Sequence, residues 1–392
     1  MQYAVAETGA VSVLIPTFNR AGYIEECLDS VLDQTRPADQ IIVIDDGSED
    51  DTRQRVMRYG DKITYLYKQN GGKPSALNFA MPHATGDYIW IFDDDDVALP
   101  ESIALRVNVL TSDPELGFVY SGHIWGENGV EGKILPGNLY SPDTIAEGAR
   151  FLNLLRTCHF TLQGMLVRRT CYASVGPFNE TMLRSEDYEM MVRLGYRFRF
   201  AGIGEPTFVF RRHGGQRGPK TLRHAESNRD RVHVEFDGRI GLDVRSKLGL
   251  SEYLHGPGSK TPLSSNERRR SLLTRMGVMA SKGLLTPMVD DLITACISED
   301  SLPLSVQERK LCEDAMHFDY FWIRLRDDPS GFFSRLRPLA FSPAGRQALR
   351  AFAKGMFRHA KSHGGSFFDR SWHLRYALKF AHLSLTGQPN RL

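Results

Sequence analysis

The chain has 392 residues, 41% of them hydrophobic and 24% charged, with a formal net charge of +2. That balance fits a soluble globular protein long enough for two domains, and it argues against nucleic acid as an obligate partner of the whole molecule. Cys27, Cys158, Cys171, Cys296 and Cys312 are odd in number, scattered and without a CxxC pair, so reduced cytosolic thiols are expected. Met1–Glu7 carries no basic stretch followed by an apolar core, and nowhere do about 18 apolar residues run uninterrupted. Neither classical secretion nor a membrane span is expected.

Short apolar runs at Val11–Ile15, Ile41–Ile44, Ile63–Tyr67 and Tyr88–Phe92 read as strands. Between the first two, Ile24, Cys27, Leu28, Val31 and Leu32 recur at helical spacing, with Asn19 as a candidate cap. Pro74 and Pro100 suit the first turns of helices at Ser75–Met81 and Glu101–Leu110. This βαβα order predicts an α/β fold with a mainly parallel sheet, and ligands bind such sheets off the carboxyl ends of the strands. Further on, Phe118–Ser121 predicts a strand and His123–Leu135 a hairpin turning at Glu127-Asn128-Gly129. A helix at Thr144–Leu155, a strand at Met165–Arg168, a helix from about Ser185 and strands at Phe198–Ala201 and Thr207–Phe210 follow. Beyond about residue 222 only helical patterns remain.

The most informative segment is Asp93-Asp94-Asp95-Asp96, set directly after the apolar run Tyr88–Phe92. Four like charges at the end of a buried strand call for a cation among them. Carboxylates two apart share a side of an extended chain, so Asp93 with Asp95, or Asp94 with Asp96, would suit a hard divalent ion such as Mg2+ or Mn2+.

Five segments in order, Val11–Arg20 (VSVLIPTFNR), Val43–Ser48 (VIDDGS), Asn70–Asn78 (NGGKPSALN), the Asp93–Asp96 run and Ser185–Tyr188 (SEDY), resemble the inverting GT-A glycosyltransferases of family 2. The resemblance covers roughly residues 10–215. It implies a nucleotide-sugar donor, a divalent metal (Mn2+ or Mg2+) and a saccharide or lipid-linked acceptor. By the same resemblance, Asp46 would accept a hydrogen bond from a uracil or thymine ring, with Phe18 near the base and Pro16 and Thr17 lining the slot. Asp95 would be the principal metal ligand, with Asp93 or Asp94 meeting the ribose or a metal-bound water. Asp187 would be the catalytic base and Glu186 an acceptor or supporting residue. His213, on the basic loop Arg211–Gly218, would close over metal and diphosphate together with Arg217.

Plainer readings stand beside these. Asp-Gly-Ser is a common turn, Lys73 sits in a loop before a helix as well as at a candidate diphosphate rim, and Arg20 suits an ordinary surface. Glu186 and Asp187 also complement a helix dipole, and a lone loop histidine is more often unligated. Trp125 and His123 in the hairpin are candidates to face an acceptor sugar.

From Gly331 to Leu392, eleven basic residues face one acid, Asp369. Arg346, Arg350, Lys354 and Arg358 form an i,i+4 stripe beside Leu349, Phe352, Ala353, Met356 and Ala360. Trp372, Tyr376 and Phe380 with Arg375 and Lys379 form a second such segment. A helix of this kind lies on an anionic membrane or caps the preceding domain with a basic outer face, nucleic-acid binding being the weaker option.

The expected organisation is therefore a catalytic domain over 1–221 and a helical region over 222–392, in a cytoplasmic protein with the cytoplasmic membrane face as an optional station. The rival from another class is a non-catalytic nucleotide-sugar-binding or membrane scaffold. A receiver domain is disfavoured because the motifs continue past one compact unit. A processive synthase is disfavoured because a Gln-x-x-Arg-Trp motif and membrane helices are absent.

Overall fold

Apolar runs and amphipathic stretches alternate through the first half of the chain and form β1 (Val11–Thr17), α1 (Ile24–Leu32), β2 (Gln40–Asp45), α2 (Thr52–Met57), β3 (Thr64–Tyr67), α3 (Lys73–Ala80), β4 (Tyr88–Ile91), β5 (Val97–Ala98), α4 (Ser102–Ser112), β6 (Leu116–Asn128), β7 (Ile134–Tyr140), α5 (Glu147–Arg156), β8 (Leu166–Arg168), α6 (Arg169–Val175), α7 (Glu186–Arg197) and β9 (Arg199–Arg212). This computed structural model describes residues 9–129, 133–142, 145–213, 229–297, 302–362 and 367–386. Its two compact units are Met1–Leu154 with Cys158–Arg229, and Leu155–Thr157 with Asp230–Leu392. The expected divide between residues 221 and 222 lies outside the described residues.

In the first unit the strands form one sheet in the order β3-β2-β1-β4-β8-β6-β9-β5, with β7 paired to β6. The first four strands are parallel, as the crossover helices between them require. Beyond β4 the sheet is mixed, with β8 antiparallel to β4 and β6, and β9 parallel to β6. All of β1 and β4 is buried, which is why both read as continuous apolar runs rather than alternating ones. Ile24, Cys27, Leu28 and Val31 bring the buried stripe of α1 onto this sheet. Two expectations merge here: the strand at Phe118–Ser121 and the first arm of the hairpin are one strand, β6, and the two late strands are one strand, β9. Register shifts along the β6–β9 pair let both strands continue through their irregular middles.

The second unit is helical, with α8 (Arg229–Lys247), α9 (Glu252–His255), α10 (Ser265–Ser281), α11 (Leu285–Cys296), α12 (Val306–Asp314), α13 (Asp319–Asp327), α14 (Pro329–Leu336), α15 (Pro343–Ser362) and α16 (Phe367–Thr386). Ser264 with Glu267 and Ser305 with Glu308 close capping boxes at the starts of α10 and α12. Buried acids are answered by arginine: Asp291 accepts from Arg245 and Arg275, and Glu308 accepts from Arg269. Leu349, Phe352 and Met356 of α15 and Phe380 of α16 are fully buried. The apolar faces of the tail are therefore the packed side of this unit, and they are not free to enter a bilayer. No helix among the described residues is long and apolar enough to cross a membrane.

Candidate active site

The candidates of the first half of the chain sit where parallel strands end. At the end of β1, Pro16 and Thr17 are buried and Phe18 is half-buried. The turn beyond them holds Asn19 in the left-handed region at φ 54°, a conformation asparagine tolerates. Its amide donates to Ser48 Oγ at 2.9 Å, and its side-chain oxygen accepts from the Glu49 amide at 2.8 Å, so the first two loops are tied together.

After β2, Asp46 organises the glycine loop. Its carboxylate accepts from Lys68 Nζ at 2.7 Å, from the Gly71 amide at 3.0 Å and from the Gly72 amide at 2.7 Å. Gly72 has φ +87° directly before α3, and Pro74 follows in its first turn. The loop thereby delivers Lys73 to the acidic run, where its Nζ lies 2.5 Å from Asp93 Oδ1.

The acidic run is a turn rather than an extended segment, with the Asp96 amide donating to the Asp93 carbonyl at 3.3 Å. Of the two expected pairs, Asp93 with Asp95 comes together and Asp94 with Asp96 does not: Asp93, Asp95 and Asp96 each bring an oxygen within 4.8 Å of the others. The neighbouring residues Asp95 and Asp96 both face the cluster because a turn, unlike a strand, does not send successive side chains to opposite sides. Asp94 instead approaches Arg20 Nε at 3.6 Å, while Arg20 Nη2 lies 3.9 Å from Asp95. Burial, with the Asp95 charge adding to it, pushes the Asp94 carboxyl up to about 7 against the pull of Arg20. A hard cation would relieve this crowding, and an all-oxygen donor set is the kind such an ion takes.

His213 belongs to this cluster, with Nε2 2.8 Å from Asp95 Oδ2 and its ring against Tyr23. Arg211, fully buried, places it there: its amide donates to Asp96 at 2.8 Å, its Nε to the Asp95 carbonyl at 2.6 Å and its guanidinium to Asn128 and Glu26. Arg217 lies outside the described residues.

On the other flank, α7 begins at Glu186 after Ser185, the second non-glycine residue with positive φ (56°) among those described. A serine held there marks a locally strained entry to the helix. Asp187 Oδ1 accepts from the Tyr188 amide at 2.7 Å. Burial and the Asp187 charge push Glu186 up to about 7, with Lys73 opposing. Although burial disfavours the charge on Lys73, the Asp93, Glu186 and Asp187 carboxylates together hold its ammonium above the ordinary lysine value. Lys73 thus pairs with the acidic run and also feels the charge of the carboxylate pair.

Two contributors escape the sequence reading. Gln163 donates to Asp93 Oδ2 at 2.5 Å, its own carbonyl held by Trp90 Nε1 at 2.7 Å and by the buried Arg106. No motif signals it, because it stands in an irregular turn. Lys68 had a positional signal, lying at the carboxyl end of β3. His123 is corrected: it is 3% exposed and walled in by Trp125, Tyr140, Phe208 and Phe210, and burial with nearby Arg212 lowers its pKa to about 4. It is a neutral packing residue rather than a surface for a sugar.

The fold and site define an α/β protein with an anion-lined, carboxylate-rich centre at the ends of parallel strands. Residues 12–169 match the model of glycosyl transferase family 2. It is 29% identical over 283 residues to an uncharacterized glycosyltransferase of Rickettsia conorii, covering 70% of this chain and 46% of that protein. It is 28% identical over 221 residues to a chondroitin synthase of Pasteurella multocida, covering 56% of this chain and 22% of the relative. The chain thus spans about half the length, or less, of these curated relatives. A crystal structure of S. aureus TarS 1-349 superposes with a TM-score of 0.48 at 16% identity, covering 97% of this chain and 92% of that one.

Proposed function

We propose that residues 1–221 transfer a glycosyl group, with inversion, from a nucleoside-diphosphate sugar to a hydroxyl of a saccharide or lipid-linked acceptor, with a divalent metal such as Mn2+ or Mg2+ as cofactor. The observation that carries this reading is the position of Lys73, between the acidic run and the Glu186–Asp187 pair. It makes one site of the two halves an inverting transfer needs, an anion-stabilising side and a proton-accepting side.

Asp95 and Asp96, with Asp93 and His213 beside them, fit as holders of the ion. Bound there, it would neutralise the charge that builds on the departing diphosphate. Asp187 takes the proton of the acceptor hydroxyl. That oxygen bonds to the anomeric carbon while the bond to the diphosphate oxygen breaks and its electron pair leaves with the nucleotide. Glu186, its carboxyl raised to about 7 and so protonated in part at neutrality, serves to orient the acceptor. Pro16, Thr17 and Phe18 line a slot for the base, and Asp46 would share its carboxylate between the base and the glycine loop. Asp94 with Arg20 suits the ribose and phosphate rim, and Arg217 is assigned to the closing loop. A saccharide acceptor draws support from the chondroitin synthase relative.

The test is to incubate the full chain with uridine, thymidine and guanosine diphosphate sugars and Mn2+, following nucleotide release and the anomeric configuration of the product. One donor class should turn over with inversion, reversibly lost on chelation, and Asp95→Ala should lose at least ~100-fold in rate. Retained configuration overturns the inverting step, and full turnover after metal stripping overturns the metal role. Absence of binding to any of these donors overturns the reading as a whole.

A further inference from the structure

With its apolar side packed inward, α15 turns outward a face that carries only cations and one aromatic ring. Arg350, Lys354, Phe357, Arg358 and Lys361 are exposed, Phe357 by 44%. On a helix of 3.6 residues per turn these positions fall within a single arc of roughly 100°, spread along about 16 Å. No aspartate or glutamate occurs anywhere in α15. Lys354 (2.8 Å) and Arg358 (2.5 Å) share the single carboxylate of Glu313 from α12, so the surface stays positive even after this pairing.

The outer face of α16, which packs on α15, has a complementary character. Leu378 and Leu385 are 53% and 73% exposed and lie seven residues apart on one side, with Arg375 exposed about one turn before Leu378 and Lys379 next to it. From Ser371 to the end of α16 there is no acid.

We propose that the exposed faces of α15 and α16 dock on an anionic lipid surface, the basic side chains meeting head groups while Phe357, Leu378 and Leu385 rest at the interfacial boundary. Charge complementarity selects an anionic partner. Exposed leucines set among the cations select a lipid surface over a nucleic acid, whose phosphates offer aliphatic side chains nothing. This docking differs from burial of an amphipathic helix: the helices stay packed in their unit and only their outward side chains engage. It stands independently of the catalytic assignment.

The experiment is cosedimentation of the full chain with phosphatidylcholine vesicles, with and without about 30 mol% phosphatidylglycerol. Binding should require the anionic lipid and weaken at least ~10-fold as salt rises from about 50 to 300 mM. Arg350→Glu with Lys361→Glu spares the Glu313 pairs and should weaken binding by about 25-fold or more, at roughly fivefold per basic contact. Leu378→Ser with Leu385→Ser should lower binding at high salt, where the charge component is screened. Circular dichroism melts confirm the fold of each variant. Should the charge reversal unfold the chain, Arg350→Gln with Lys361→Gln replaces it, with about 25-fold weakening expected from the loss of two basic contacts. Equal binding to neutral vesicles, unchanged binding by the charge variant, or capture by a DNA duplex in place of vesicles overturns the proposal.

Discussion

At the scale of single residues the proposed transfer turns on a division of labour between Glu186 and Asp187. If Asp187 accepts the acceptor proton, Asp187→Asn should lower kcat by about 10^2–10^4 with little change in donor affinity, and Glu186→Gln should lower it less. Equal and mild losses would leave Asp187 as a helix-end residue. Glu186 carries a second prediction, because burial and the Asp187 charge raise its carboxyl from 4.5 to about 7. Below about pH 4.5 both the folded and unfolded chains hold this proton, and Glu186 costs nothing. Between there and about pH 7 the unfolded chain has released it while the folded one retains it, so stability falls as pH rises; above pH 7 the penalty is complete. Glutamine mimics the protonated acid without titrating. Glu186→Gln should therefore match the wild type near pH 4 and exceed it by an amount on the order of 1 kcal/mol at pH 8, measured by urea denaturation across that range. A constant difference at all pH values would show that Glu186 does not hold its proton in the fold.

At the scale of elements, the glycine loop before α3 is the piece on which both flanks of the site depend. A Cβ at Gly72 would meet only Pro74 Cδ at 3.9 Å, so space is not the obstacle; φ +87° is. Gly72→Ala should cost about 1 kcal/mol in backbone strain and, by shifting Lys73, raise the donor KM. An alanine variant with unchanged melting and kinetics would separate the loop conformation from the site. Elements buried on both faces were legible: β1, β2 and β4 announce themselves as apolar runs, and α1 as a periodic stripe. Elements defined by partners were not. β5 is two residues long, Val97–Ala98, and exists because β9 pairs with it. α2, with the sequence TRQRVM, buries only Thr52 and Val56 and shows no period. β9 runs through Gly202-Ile203-Gly204-Glu205-Pro206, which reads as a loop, because β6 supplies its pairing. In the site, the aspartates and Lys73 were legible because their chemistry demands those residue types. Gln163 and Arg106 were not, since an amide in a turn and an arginine on a helix have no sequence mark until Asp93 and Trp90 are brought to them.

At the scale of the whole molecule, each unit has a core of its own. One is the sheet core around Val13, Val43, Trp90 and Phe92. The other is the helical core that includes Leu273, Met276, Leu292, Phe321 and Phe352, all fully buried. Separate cores predict separate cooperative transitions on heating. The strand ends that form the site, and the motifs that define it, all lie in the first unit. A ligand that binds only the folded form of that unit raises its stability alone, by about 2.7 kcal/mol when present at a hundred times its Kd. Calorimetry of the full chain should accordingly resolve two transitions, with Mn2+ and uridine diphosphate together raising one of them and leaving the other in place. Hydrogen exchange should assign the raised transition to the segments around Asp46, Lys73 and Asp95 rather than to α10 and α15. If the guanosine or thymidine diphosphate produces the shift and the uridine compound does not, the same measurement identifies the base. A shift confined to the helical unit would show that nucleotide binds away from the acidic run and remove the basis for the proposed transfer site.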